Sequence, residues 1–500
     1  MNSSMKDKLN TIIPMFFSFL ASLIFMFFSP LNPWGGYAAG IDSSVFKTVS
    51  MMMDKGFVLY KDTFEHKGPV IYLINLLGSK ISYYRGVWFF EVIFLAITVY
   101  FMYRSARLVV GWIESTIVTL ASLSLLFMYF QGGNFTEEYA MPCISFSLFV
   151  FLDYLINNKL TALRTILAGI GLGIVLMLRP NMISVWMVFC ICVLVKCLLE
   201  HEYKELIMIL LKFMLGVFVV ILPLIVWLAL NDALAFFWHD YIIFNMQYVS
   251  EEGGRALFSL KLATFMYFFG AQIVMMSVLV LLFELKEKQN RMMNVTYLLY
   301  LIITLVMIAV GGIIYGHYGM ILVPAAVYPL GLLFKRIESI RQEDVRKVVF
   351  MLVSLYFIAA VIMPDWLFAI ETVAREYDKR DQTSIVLKYG AEISGTVEYV
   401  ENNTDEDEAI SVYGNWDIIY VLTRRKHATR YSYQFPIGEI APEILDEYFE
   451  QLHNEQPNLI VISPEKLDDR MKEFLELNDY HLVCVVNEEL ESTPLIYSRE

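Results

Sequence analysis

Four short stretches gather ionisable side chains beside long apolar runs, and their residue types suit acid–base and phosphate chemistry. Asp42, Asp62, Glu65, His66 and Lys67 lie between Pro30 and Arg85. Glu137 and Glu138 follow Gly132-Gly-Asn-Phe-Thr, Arg179-Pro180-Asn181 separates two apolar runs, and His317 and Tyr318 sit in Tyr315-Gly-His-Tyr. A carboxylate can take a proton from a hydroxyl, whereas Arg and Lys complement a phosphate. Ionisable groups held at a membrane boundary are candidate functional groups, because burial there shifts their protonation. The set fits a lipid phosphate that carries a sugar.

The elements that must position these groups are helices in lipid. The chain has 500 residues, 57% apolar and 18% charged, against about 45–50% and about 25% for an ordinary soluble protein. A helix needs about 20 largely apolar residues to cross a bilayer, where the backbone finds no other hydrogen-bond partner. Eleven runs qualify as candidates: 11–29, 86–103, 112–130, 139–156, 165–178, 182–197, 213–230, 262–283, 295–314, 319–334 and 348–363. The fifth and sixth are short and flank Arg179. The first follows Lys6 and Lys8 but exceeds a usual secretory core and lacks a small-x-small cleavage site, so it reads as an uncleaved anchor. Lys and Arg collect in alternate connections (Arg104 and Arg107; Lys159 and Arg164; Lys196, Lys204 and Lys212; Lys286, Lys288 and Arg291; Lys335 to Lys347). That bias places the N-terminus inside, and all four polar stretches outside.

Charge divides the chain near Pro364. Residues 365–500 hold 29 acidic and 12 basic residues, leaving 22 and 26 for the first 364. We expect a transmembrane domain over 1–364 and an acidic α/β domain over 365–500, outside the membrane if the spans number eleven. In the second, strands at 409–413, 459–462 and 482–486 alternate with helices near 441–454 and 465–478. Glu443, Asp446, Glu447 and Glu450 read as a solvated helix face, and no chemistry is assigned to this region beyond a supporting role toward an acceptor. Within the first loop, Phe46, Val49, Met52 and Met53, and then Val70–Leu77, suggest two amphipathic helices at the membrane surface. The five cysteines show neither a disulfide framework nor zinc spacing. Asn134-Phe-Thr136 fits a glycosylation pattern that commonly arises by chance.

Taken in order, GIDSSVF, GFVLYKDTFEHKGPVIYLI, NFTEEYAMP, LRPN and GHYGMILVPAAVYPLGL resemble the GT-C membrane glycosyltransferases. The branch is that of bacterial protein O-mannosyltransferase-like and aminoarabinose-transferase-like enzymes, over roughly residues 10–365. The tail also resembles the extracytoplasmic tail of some bacterial members. The resemblance implies a polytopic α-helical plasma-membrane protein that moves a sugar, with inversion, from a polyprenyl-phosphate donor to an acceptor on the outer face. That acceptor would be an envelope glycan, a glycolipid or a protein. Asp42 then matches the catalytic first-loop Asp, and Glu137 or Glu138 the acidic position of the second outer loop. Lys67, Arg179, His317 and Tyr318 match donor-binding positions. Two departures stand out: HKGP replaces the common KPP, and Ser43 rather than an acidic residue follows Asp42. No cofactor is expected, a divalent cation being unsupported by the residues, and no nucleic acid is expected as partner.

Plainer roles compete for each residue. Asp42 also suits a helix N-cap, Lys67 a snorkelling lysine, and Glu137 or Glu138 a first-turn carboxylate favoured by the helix dipole. Arg179 also suits a span end, and His317 a packing residue. A transporter or flippase for a lipid-linked or charged substrate is the alternative function, although no internal repeat is visible and the polar groups cluster at span ends rather than mid-membrane.

Overall fold

In the computed structural model, residues 3–33, 39–252, 271–287, 290–310, 315–363, 366–367, 369–371, 389–485 and 493–499 are described. All eleven apolar runs fall on helices, although 262–270, 311–314 and the proposed boundary at Pro364 lie outside the described residues. Helices α1 (Ser3–Met26), α2 (Ile41–Asp54), α3 (Pro69–Ile81) and α4 (Gly86–Ala106) are followed by α5 (Trp112–Ser124), α6 (Leu126–Tyr129) and α7 (Thr136–Asn157). Then come α8 (Ala162–Leu176), α9 (Ser184–Leu199) and α10 (Tyr203–Leu230). Among the described residues five helical stretches are long and apolar enough to cross a membrane: 86–106, 112–129, 136–157, 203–230 and 291–309. A sixth candidate is the pair Gly316–Ala325 and Val327–Glu338, bent by 44°. Helices α8 and α9 are apolar but shorter, which leaves the Arg179 turn between them. On α10, Leu211, Leu215, Phe218, Val219 and Leu222 are exposed, as expected of side chains whose solvent is lipid.

The C-terminal region folds as an α/β layer. Strands β1 (Ala409–Tyr413), β2 (Lys426–His427), β3 (Leu459–Ile462), β4 (His481–Val485) and β5 (Leu495–Ser498) form one sheet in the order β2-β1-β3-β5-β4. The β1–β2 and β1–β3 pairs are parallel, whereas β3–β5 and β4–β5 are antiparallel. Both faces of β1 and β3 are covered, which is why they read as continuous apolar runs. The helices are Pro442–Glu455 and Asp469–Leu477, the second starting later than expected because Pro464–Lys466 forms a separate 3₁₀ turn.

The other face of the sheet changes the picture of the first loop. Met51 and Met52 of α2 are buried in one cluster with Ile410, Val412, Val461 and Ile419. Helix α2 is therefore not an amphipathic surface helix: Ser43 through Met52 are all buried, between α3 and the C-terminal layer. Its sequence hid this because the covering partner lies more than 350 residues away. Arg430 adds a second fastening. Its guanidinium pairs with the buried Asp240 and donates to Tyr60 O at 2.8 Å.

Lys47, also on α2, is buried with its ammonium 4.7 Å and 4.8 Å from the ring centres of Tyr83 and Tyr84. Burial first, then the Arg424 charge, pulls its pKa down to about 7. The unfolded chain keeps this proton up to the ordinary lysine range, so it binds more protons than the folded chain between about pH 7 and 10.5. Stability should therefore rise with pH across that window. Thermal unfolding of Lys47→Met should show a gain on the order of a few kcal/mol below pH 7 and a flattened slope above it.

Candidate functional site

Two backbone contacts set the site. Gly68 N donates to Leu178 O at 3.0 Å and Val70 N to Met177 O at 3.1 Å, fastening the EHKGP turn to the turn before Arg179. A Cβ at residue 68 would lie 2.1 Å from Met177 O, so only glycine allows the approach. The second contact joins Gly40 to Gly132, N to O at 3.1 Å; a Cβ on Gly40 would sit 2.7 Å from Gly132 Cα. It brings the start of α2 against the turn that leads into α7.

Between these contacts lies a cavity of about 280 Å³. Asp42, Lys67, Arg179, His317 and Tyr318 all line it, together with Glu65, His66, Gln131 and Phe135. Gly40 occupies the N-cap position of α2, and Asp42 stands in the first helical turn without capping. Among the described residues no hydrogen bond or ion pair engages the Asp42 carboxylate. The Lys67 ammonium contacts His66 Nε2 at 2.6 Å and, among the described residues, no carboxylate at ion-pair distance. Burial lowers the Lys67 pKa first, helped by Arg179 and opposed by Glu65, Asp42 and Glu137.

Arg179 is held from two sides, donating to Glu137 Oε1 at 3.0 Å and to the Tyr318 hydroxyl at 2.8 Å. Burial disfavours its charge, but Tyr318 and Glu137 outweigh that and hold its pKa above the ordinary value. His317 stacks on Phe135, ring centres 3.8 Å apart, with Nδ1 2.7 Å from Gln131 Oε1. Neither glutamate lines the cavity. Glu137 reaches it only through Arg179, and Glu138 turns back to accept from Phe135 N at 3.1 Å, closing the helix start. Asp62 closes its own turn, accepting from Val58 N at 2.7 Å. Among the described residues no group of three His, Cys, Asp or Glu side chains is placed to hold a metal ion.

The sequence reading missed the fourth wall. Asn415, Tyr433, Pro436 and Ile437 of the C-terminal layer line the same cavity, and Asn415 Oδ1 has no hydrogen-bond partner among the described residues. The only hint was local: Tyr431-Ser-Tyr-Gln-Phe-Pro is an aromatic, uncharged stretch in an otherwise acidic tail.

Asn134, in the glycosylation-like triplet, is 1% exposed. It bonds Ser43, Asn75, Tyr139 and, through its backbone N–H, Glu91, so it is a packing hub. Asn134→Ala removes the side-chain bonds to Ser43, Asn75 and Tyr139 and should cost about 2–4 kcal/mol, read as a lowered unfolding temperature.

Fold and cavity together define a class. The chain superposes on ArnT from Cupriavidus metallidurans bound to undecaprenyl phosphate with a TM-score of 0.66 and 13% identity, over 96% of this chain and 97% of that one. The Archaeoglobus fulgidus oligosaccharyltransferase in complex with Zn and sulfate gives 0.53 at 15% identity, over 93% and 71%. The same enzyme tethered to an acceptor peptide containing the NVT sequon gives 0.54 at 14%, over 100% and 75%. The fold is thus GT-C, that of polytopic membrane proteins. Residues 2–349 match the family described as putative competence-induced protein Ccs4 N-terminal domain, and the chain belongs to that family. No curated protein matches the sequence.

Proposed function

We propose that the protein is a membrane glycosyltransferase that moves a sugar from a polyprenyl-phosphate donor to a cell-envelope acceptor at the outer face of the membrane, with residues 365–500 on that side. One observation carries this reading: a carboxylate, Asp42, and an ammonium, Lys67, that have no ion-pair partner among the described residues face one cavity beside Arg179. Asp42 takes the acceptor's hydroxyl proton, and the oxygen attacks the anomeric carbon. The bond from that carbon to the phosphate oxygen breaks, and polyprenyl phosphate leaves against Lys67 and Arg179. A cation pair that meets developing charge on the leaving phosphate stabilises the transition state more than the ground state. Glu137 and Tyr318 position Arg179, and His317 with Phe135 forms an aromatic wall for the sugar.

The test is sugar release by purified protein offered radiolabelled polyprenyl-phosphate hexoses with a crude envelope fraction. Transfer, or slow donor hydrolysis, that depends on Asp42 supports the reading. Loss of neither on Asp42→Asn would remove Asp42 from the mechanism.

A further inference from the structure

Lys67 is not simply a lysine at the edge of a cavity. It is the end of a chain of buried and half-buried hydrogen bonds that begins in the C-terminal layer. The Tyr433 hydroxyl lies 3.2 Å from both Glu65 Oε1 and His66 Nδ1. His66 Nδ1 lies 3.0 Å from Glu65 Oε1, and His66 Nε2 lies 2.6 Å from Lys67 Nζ. An ammonium can only donate, so Nε2 must be the bare nitrogen and the ring proton sits on Nδ1, facing the carboxylate. Glu65 fixes the tautomer from one side, as an orienting carboxylate does for a histidine, and Lys67 fixes it from the other. Asn245 holds the His66 carbonyl at 2.7 Å, and the Tyr248 ring lies parallel to the imidazole. One ammonium N–H is thereby spent on His66, leaving two for the cavity.

We propose that His66, oriented by Glu65 and Tyr433, is the positioning residue for the Lys67 ammonium, and that it gives lipid-phosphate binding an acid limit. The inference rests on the donor reading above. Protonating Nε2 replaces an acceptor by a donor facing an ammonium, so Lys67 must leave its place. The charged and titratable groups around the ring are Glu65, Lys67, Arg179, Tyr433 and Tyr248, with Asp42 and Glu137 beyond Lys67. Burial first, then Lys67, holds the His66 pKa below the ordinary histidine value, against the pull of Glu65. The Glu65 pKa is lowered as well, to about 2: its burial opposes charge, but contacts with His66 and Lys67 outweigh it. A neutral ring beside a carboxylate is the state we assign.

The experiment reads binding of undecaprenyl phosphate, without sugar, to the full-length protein in detergent from pH 5 to 8. The lipid phosphate's own titration, near pH 6, is common to every variant and cancels in comparison. His66→Gln keeps an acceptor oxygen but cannot titrate; it should bind within a few-fold of wild type at pH 7.5 and lose less affinity at pH 5. His66→Leu should bind at least about 10-fold more weakly at pH 7.5. Superimposable pH profiles for wild type and His66→Gln, or equal losses in the Gln and Leu variants, would overturn the proposal. A wild-type protein that binds no lipid phosphate at any pH would overturn it together with the donor reading. Sugar transfer is not read here, so acid-limited binding in a protein that transfers no sugar would sink the transferase reading and leave this inference standing.

Discussion

Asp42→Asn is expected to lower sugar transfer by about 10²- to 10⁴-fold, the range that a general base supplies, with lipid-phosphate affinity within a few-fold of wild type. The split follows from the geometry. Asp42 has no partner to strand among the described residues, and Gly40 rather than Asp42 caps α2, so the amide should leave the helix and its packing intact. The cations that line the cavity belong to other segments, Lys67 in the first-loop turn and Arg179 after α8. Asp42→Asn is close to isosteric and removes only the ability to take a proton. A loss confined to kcat, with unchanged unfolding temperature, is the expected signature. A parallel loss of undecaprenyl phosphate binding would instead place Asp42 among the donor contacts.

Gly68→Ala should be the most damaging single-methyl change near the site. The added carbon would be driven to 2.1 Å from Met177 O and 2.9 Å from Leu178 N, far inside contact distance, against backbone that cannot rotate away. The turn bearing Lys67 must then part from the turn bearing Arg179. Because an ångström of misplacement costs about 10²-fold in a preorganised site, transfer and lipid-phosphate binding should both fall by at least about that factor. Gly331→Ala is the matched control: its added methyl meets only Val109, at 3.8 Å. It should leave both activities near wild type, and equal losses in the two variants would point to general destabilisation.

These contacts also show where the sequence was informative. Apolar run length placed the cores of the candidate spans, because lipid demands continuous helices whatever the tertiary partners, but it gave no signal for the helical segments at 234–252, 391–403 and 418–423. The polar stretches beside those runs contain five of the residues that line the cavity, Asp42, Lys67, Arg179, His317 and Tyr318. Between Glu137 and Glu138 the sequence was silent, since consecutive helical positions point about 100° apart and only the neighbours decide which one meets Arg179. HKGP departs from the common KPP by placing a glycine before the proline. That glycine is a requirement of the close approach to residues 177–178. The roles of Tyr433, Asn415 and Pro436 had no periodic signature, because irregular segments that pack over long sequence distances leave no local pattern. The same holds for α2: its apolar face was visible, but nothing nearby announced that its opposite side would also be covered.

Met51 and Met52 carry a consequence for protein engineering. A module that folds by itself can be cut off, transplanted or exchanged between homologues at its linker. This C-terminal layer completes its core with two methionines borrowed from the other end of the chain. Cutting the chain after residue 349, where the family match stops, would bare those methionines and open one wall of the cavity. Chimaeras that exchange the tail should accordingly fail unless the 41–54 helix travels with it.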